Sequence, residues 1–446
     1  MTILRNSLAA ALLMAASATA LPATKAFVIH AGKLVDVDSG QVLVDRAIRI
    51  EGGKIVRVEP WSGADVRDTR VVDWSHYTVL PGLMDMHTHI ADEGQSADPG
   101  APLKSTPARD AFIGAHNAWD TVRAGFTTVR DVGVYRSFAD VALRDAINAG
   151  EVPGPRMFVA GAYITISGGG GEITGLPKGT VVPDEFRRGV ANNEAEVRKK
   201  VNALFDGGAD FIKVIATGAV LTAGTEPGES EYTEAEIRAA VEEAARHHSF
   251  VAAHAHGAEG IKRAVRAGVR SIEHGSLIDD EGIALMKQHG TWLVADIYNG
   301  DYIDTVGRQQ GWSAEVLRKN IETTEAQRDG FRKAAAAGVN IAYGTDSGVY
   351  PHGDNARQFA YMVRYGLTPM QAIQSATINP ARLLGREREI GSIAPGKSAD
   401  LVAVAGDPIA NIEVLRDVRA VIKAGAWICD GNVACGHPAN QQGAAR

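Results

Sequence analysis

The sequence predicts an α/β chain built on a (β/α)8 barrel of the TIM type, with a small β-sandwich domain formed from both chain ends. Three observations predict it. The middle of the chain alternates short apolar runs with amphipathic helical stretches. The two ends read instead as short alternating strands broken by glycine turns. The histidines and acids that carry chemistry fall at the ends of the apolar runs.

From Phe27 to about Val79 the pattern is β, as in AIRIEGGKIVRVEP, where Gly52-Gly53 reads as a hairpin turn. A second β-rich stretch follows Gly391, with GSIAPGKSADLVAVAGDP and VRAVIKAGAWICDG. Residues 27–79 and 386–435 are therefore expected to pair as one small domain flanking a catalytic barrel over 80–385. Eight strands can be read there: TVLPGLMDMH, FTTVRDV, PRMFVAG, DFIKVIA, FVAAHAH, VRSIEHG, TWLVADI and NIAYGTD. Helices such as EAEIRAAVEEAARHH and EGIKRAVRAG separate them, several ending in Ala-Gly, where glycine suits the left-handed cap. An open doubly wound sheet is disfavoured, because no glycine-rich phosphate loop opens any helix. Ser167 to Gly175, SGGGGEITG, reads as a loop near the barrel mouth.

The 446 residues, 45% apolar and 22% charged, suit a large globular core. The net charge of −7 gives no electrostatic basis for a nucleic-acid partner or an acidic membrane surface. At the N-terminus Arg5 precedes an apolar stretch, Leu8 to Ala16, and then Ala18-Thr19-Ala20. Residues 1–20 thus read as an export signal, too short to span a bilayer, and place the mature chain in the periplasm or outside the cell. No later segment is long and apolar enough to span. The two cysteines, Cys429 and Cys435, lie far from every motif, and export favours their pairing as a disulfide over two free thiols.

His87 and His89 end the first strand in MDMHTHI. Two apart on a strand, they point the same way and can hold one metal. The device recurs at His254 and His256 in FVAAHAHG, followed by His274 in SIEHG and Asp346 in AYGTDSG. Histidine and carboxylate with few thiols is the donor set of a hydrolytic zinc site. Lys213 lies inside the apolar strand ADFIKVIA, an unusual place for an ammonium. If CO2 adds to its amine, the carbamate offers two anionic oxygens that bridge two metals.

These motifs together resemble the amidohydrolase superfamily, in particular the imidazolonepropionase-like exported peptidases that include prolidase-like and Xaa-Arg/Lys dipeptidases. The resemblance runs from PGLMDMHTH through AGFTTVRDVG, GADFIKVIATG, VAAHAHGAEGIKRAVRAGVRSIEHG and YGTDSG to GSIAPGKSADLVAVAGDP. It implies two Zn2+ per subunit: one on His87, His89 and Asp346, the other on His254 and His274, bridged by carboxylated Lys213. It implies that His256 polarises the substrate carbonyl or steadies the developing oxyanion, and that Tyr232 touches the substrate's terminal carboxylate. It also implies a homo-oligomer, with an octamer as one form. Many members carry Gly-Gly-His-Gly after strand three, where this chain reads Gly168 to Gly171, so the substrate contact of that histidine is missing.

The expected reaction is hydrolysis of an amide next to a C-terminal amino acid, with Asp346 passing a proton from water to the leaving amine. The substrate is a small molecule, a dipeptide or an N-acyl amino acid, aryl amides of the ochratoxin type included. A serine hydrolase using Ser347 fails the G-x-S-x-G pattern at Thr345. A deaminase would be expected to place Glu where Gly257 stands, although His256 and Glu259 keep the interval. A non-catalytic barrel should have lost a ligand, and none is missing.

Overall fold

The computed structural model describes residues 26–63, 69–430 and 435–436; the proposed export signal lies outside them. The chain begins with β1 (Phe27–Asp36), β2 (Gln41–Glu51), β3 (Lys54–Pro60) and β4 (Arg70–Pro81). Gly52 and Gly53, at φ 55° and 78°, make the two-residue turn between β2 and β3 that the sequence predicts.

The barrel strands follow: β5 (Leu83–Thr88), β6 (Phe126–Asp131), β7 (Arg156–Val159), a two-residue β8 (Tyr163–Ile164), β9 (Ile212–Ile215), β10 (Val251–Gly257), β11 (Ser271–Leu277), β12 (Trp292–Val294) and β13 (Asn340–Ile341). Each of the eight expected strands is present; β8 is an addition, pairing with β9 beyond the end of β7. Every pairing in these two sheets is parallel, and helices cover the outside. The barrel closes where Met86 N–H donates to the Tyr343 carbonyl (2.8 Å) and His89 N–H to Ser347 (2.9 Å), tying strand one to the end of strand eight. On the other side Asp210 N–H bonds the Val159 carbonyl at 2.8 Å. Strands β5, β6, β9 and β10 are buried throughout, as a sheet covered on both faces requires.

After the barrel the chain returns as β14 (Leu401–Val404), β15 (Val418–Lys423) and β16 (Ala426–Cys429). The two chain ends do meet in one domain, hydrogen-bonded as a single seven-stranded sheet in the order β16-β15-β14-β4-β1-β2-β3. Ile55 N–H to the Lys397 carbonyl (2.9 Å) and Ala399 N–H to Gly53 (2.9 Å) bring edge strand β3 against the segment entering β14. The sheet encloses its own apolar core, including Ile29, Ile48, Trp74, Leu401 and Ile422. Cys429 and Cys435 are joined in a disulfide, with Cα atoms 5.4 Å apart. Among the described residues no helix is long and apolar enough to cross a membrane.

The helices are cut by local chemistry. Thr233 and Glu236 form a capping box at the start of Glu234–Arg246, and Gly268, Gly290 and Gly338 end their helices in the left-handed conformation. Phe126, fully buried at the entry of β6, packs against Tyr343 of strand eight with ring centroids 5.8 Å apart, so it reports on closure. Phe126→Ala is expected to destabilise the chain by about 3–5 kcal/mol in denaturant unfolding. A loss below about 1 kcal/mol would mean the two strands do not depend on that contact.

Candidate metal centre

Parallel register sets the site. It aligns Lys213 with Ala252 and His254 with Glu273, so Lys213, His254, His256 and Glu273 share the inward face of neighbouring strands. His274 and Asp346 both adopt left-handed backbone, at φ 69° and 57°. Such conformations cost energy in residues other than glycine and concentrate at functional sites. At His274 the turn breaks strand alternation, and consecutive residues Glu273 and His274 both reach the centre.

Two donor groups assemble. His87, His89 and Asp346 place ligand atoms within 4.8 Å of one another, and so do His254, His256 and His274. The Asp346 carboxylate lies 3.1 Å from His89 Nε2 and 3.4 Å from His87 Nε2. His274, with Asp296 and Asp346, forms a third such group joining the first two. His256 is thus gathered with His254 and His274, and its Nδ1 meets Ser276 Oγ at 2.7 Å. Lys213, 1% exposed, borders the same cavity.

What holds these rings in place was not anticipated from the sequence. His87 Nδ1 is 3.0 Å from the Glu273 carboxylate, His274 Nδ1 is 3.0 Å from Asp296, and His89 Nδ1 is 2.8 Å from the Gly133 carbonyl. Each acceptor fixes the Nδ1–H tautomer and leaves the Nε2 lone pair facing the centre, the second layer typical of histidine metal ligands. Glu273 is itself held by Arg130, fully buried, at 2.6 Å, and Arg130 also donates to the Met86 carbonyl and Ser271. Asn299 Nδ2 bridges Asp296 (2.8 Å) and Asp346 (3.0 Å), joining the two donor groups. Beneath them Asp85 accepts the backbone N–H of His87 and Thr345, the Thr345 hydroxyl and Asn355 Nδ2. Charged residues inside apolar strands, Arg130 in FTTVRD and Glu273 in SIEHG, were the available signal.

The electrostatics ask for positive charge. Burial alone would raise the Asp346 carboxyl, but the facing His87 and His89 hold it well below the usual range. Burial likewise opposes charge on His89, yet Asp346, Asp131 and Asp92 raise it to about 9. Burial pushes His254 and His256 well below their ordinary values, into the neutral form that binds metal. Burial lowers the Lys213 amine to about 8, with Glu273 opposing and Arg130 assisting. The donor set fits two divalent cations, zinc among them.

Tyr232 requires a correction. It is 1% exposed, its hydroxyl donates to the Ala191 carbonyl at 2.6 Å, and it does not border the cavity. With the hydroxyl engaged inside the core, it is not placed to meet a substrate carboxylate. Tyr163, whose hydroxyl donates to Gly133 O at 3.1 Å beside His89, does border it. The glycine loop is packed tightly: a Cβ on Gly171 would lie 2.9–3.0 Å from Ile215, Thr165 and Tyr163. Gly170 N–H donates to half-buried Glu231 at 2.7 Å. The cavity over the centre measures about 350 Å³, within the ~300–1,000 Å³ usual for small-molecule sites.

Two outcomes are expected. Arg130→Met strands the Glu273 carboxylate and should cost about 3–5 kcal/mol in denaturant unfolding, whereas Arg130→Met with Glu273→Gln should recover much of it; an additive double variant would contradict the pairing. Burial raises Glu231 to about 7 from the ordinary 4.5, so between those values the folded chain binds more protons than the unfolded one. Stability contributed by this group therefore falls as pH rises through that window. Glu231→Gln should raise the melting temperature at about pH 8 and change it little near pH 4.5; equal shifts at both would refute the assignment.

The description "Amidohydrolase family" matches residues 78–428. Ochratoxinase of Aspergillus niger is 32% identical over 414 residues, covering 89% of this chain and 85% of the relative. The solved structure of a Xaa-Pro dipeptidase with bound methionine in the active site shares 40% identity at a TM-score of 0.84, covering 90% of this chain and 99% of that one. A prolidase complexed with N-methylphosphonate-L-proline shares 30% identity, also at 0.84, with 91% and 100% covered. The fold, the paired donor groups and these likenesses agree: the chain belongs to the amidohydrolase family and is a hydrolase.

Proposed function

We propose that this chain is an exported, binuclear zinc enzyme that hydrolyses an amide next to a C-terminal amino acid, as a dipeptidase or carboxypeptidase. The observation that carries the reading is the set of acceptors that turns the Nε2 atoms of His87, His89 and His274 toward one centre. His87, His89 and Asp346 would hold one zinc ion, His254 and His274 the other, and Lys213, carboxylated by CO2, would bridge them. Bound there, the two ions would supply Lewis acidity toward the amide carbonyl and ease ionisation of a water near neutral pH.

The protein's own groups do the rest. Asp346, kept anionic by its histidine neighbours, takes the proton of the attacking water and delivers it to the departing amine. Asn299 steadies the second oxygen of that carboxylate at 3.0 Å, so the base keeps one orientation. When the Ser276 hydroxyl donates to His256 Nδ1, the ring proton sits on Nε2 and serves as a donor to the developing oxyanion. Lys213 lies where burial favours its neutral amine, the form that reacts with CO2.

A second reading is hydrolysis of N-acyl amino acids, including ochratoxin-type aryl amides, favoured by the similarity to ochratoxinase over most of both chains. Gly168 to Gly171 carry no side chain to meet a proline-type leaving group. Dipeptides and N-acyl amino acids should be hydrolysed by zinc-loaded protein, abolished by chelation and restored by zinc. Lys213→Ala should lower kcat by about 100-fold or more and reduce bound metal. Full activity in that variant, or no cleavage of any amide, would overturn the proposal.

A further inference from the structure

We propose that the cavity contains a preformed subsite for a large apolar side chain, formed by Leu221, Ile303, Trp312, Val316 and Val349, which selects amides bearing leucine-like or aromatic residues. The inference rests on reading the cavity as an amide-hydrolase site, and it concerns selectivity.

All five residues border the cavity, and they form an apolar cluster separate from the barrel core. They come from three segments: the loop after β9, the stretch around the helix Ala314–Ala337, and the loop three residues past Asp346. Ile303, Trp312, Val316 and Val349 are buried against one another and Leu221 is half-buried, so the cluster holds its own shape at the edge of a polar centre while bordering the cavity. Filled by a substrate side chain, it would gain the free energy of covering carbon surface.

The wall is fixed in advance. Trp312 Nε1 donates to Gln310 at 3.2 Å, so its polar atom is satisfied within its own loop. A Cβ on Gly307 would lie 2.9 Å from the indole, so the glycine lets backbone pack flat against the ring. Lys319, fully buried, donates to the Thr222 carbonyl at 2.7 Å and pairs with Glu315 at 2.8 Å, while Glu315 accepts Gly224 N–H at 2.8 Å. These bonds clamp the loop that carries Leu221 onto the helix that carries Val316. The cavity is also lined by Glu93, Asp98 and Glu172, which are already paired with Arg109, Lys104 and Arg187. A charged substrate side chain against the apolar wall would lose hydration without a partner.

The test compares kcat/KM of zinc-loaded protein on two dipeptide series, Xaa-Gly and Gly-Xaa, with Ala, Leu, Phe, Lys or Asp as Xaa. In one series Leu and Phe should exceed Ala by at least about tenfold, and Lys and Asp should fall below Ala. Trp312→Ala and Leu221→Asp should collapse the Leu-to-Ala ratio toward one, and Trp312→Phe should retain most of it. Calorimetric binding of N-acetyl-leucine amide against N-acetyl-alanine amide reads the subsite without turnover. Flat ratios, a preference for Lys or Asp, or an undiminished ratio in Trp312→Ala would overturn the subsite even if amides are cleaved. Binding preference without cleavage would uphold the subsite and overturn the proposed hydrolysis of an amide next to a C-terminal amino acid. Neither cleavage nor preference would overturn both.

Discussion

The pair formed by Arg130 and Glu273 is the constraint on which the centre depends. Two opposite charges with no exposure would be costly if either stood alone, and each is held by further bonds: Arg130 to Met86 and Ser271, Glu273 to His87 and Ser271. The pair links strands two and six across the barrel floor and hands a carboxylate to a ring on strand one. Burial would push Glu273 toward its neutral form, but Arg130 and His87 hold it well below the usual range. It therefore stays an acceptor, and His87 keeps the tautomer that points its free nitrogen at the centre.

The same logic repeats at lower charge. Asp296 does for His274 what Glu273 does for His87, and Asn299 joins Asp296 to Asp346. His87, His89 and His274 are thereby held in one network through Glu273, Gly133, Asp296, Asn299 and Asp346. Preorganisation of this kind matters for hydrolysis, because an environment already arranged around developing charge needs no rearrangement during reaction.

Much of this was legible in the sequence. The repeated H-x-H at strand ends, Lys213 in an apolar strand and the β-rich chain ends follow from strand alternation and composition; the structure aligns Lys213 with Ala252, gathers the histidines into two donor groups and pairs strands of both chain ends in one sheet. The supporting layer was not, because alternation assigns neighbours to opposite faces. The left-handed backbone at His274 and Asp346 breaks that rule, and no residue pattern announces it. Tyr232 shows the converse. Nothing in ESEYTEAEI distinguishes a tyrosine aimed at substrate from one whose hydroxyl reaches the Ala191 carbonyl 41 residues away. The short β8 escaped for want of length, and the apolar wall because its members are scattered over three loops.

We propose that these histidines are oriented to hold two ions. Anomalous scattering from crystals of the zinc-loaded protein, recorded on either side of the zinc edge, tests it most directly. Two zinc peaks per chain are expected, one among His87, His89 and Asp346 and one contacting His254 and His274, with bridging density continuous with Lys213. A single peak, peaks elsewhere, or a Lys213 amine clear of both ions would contradict it.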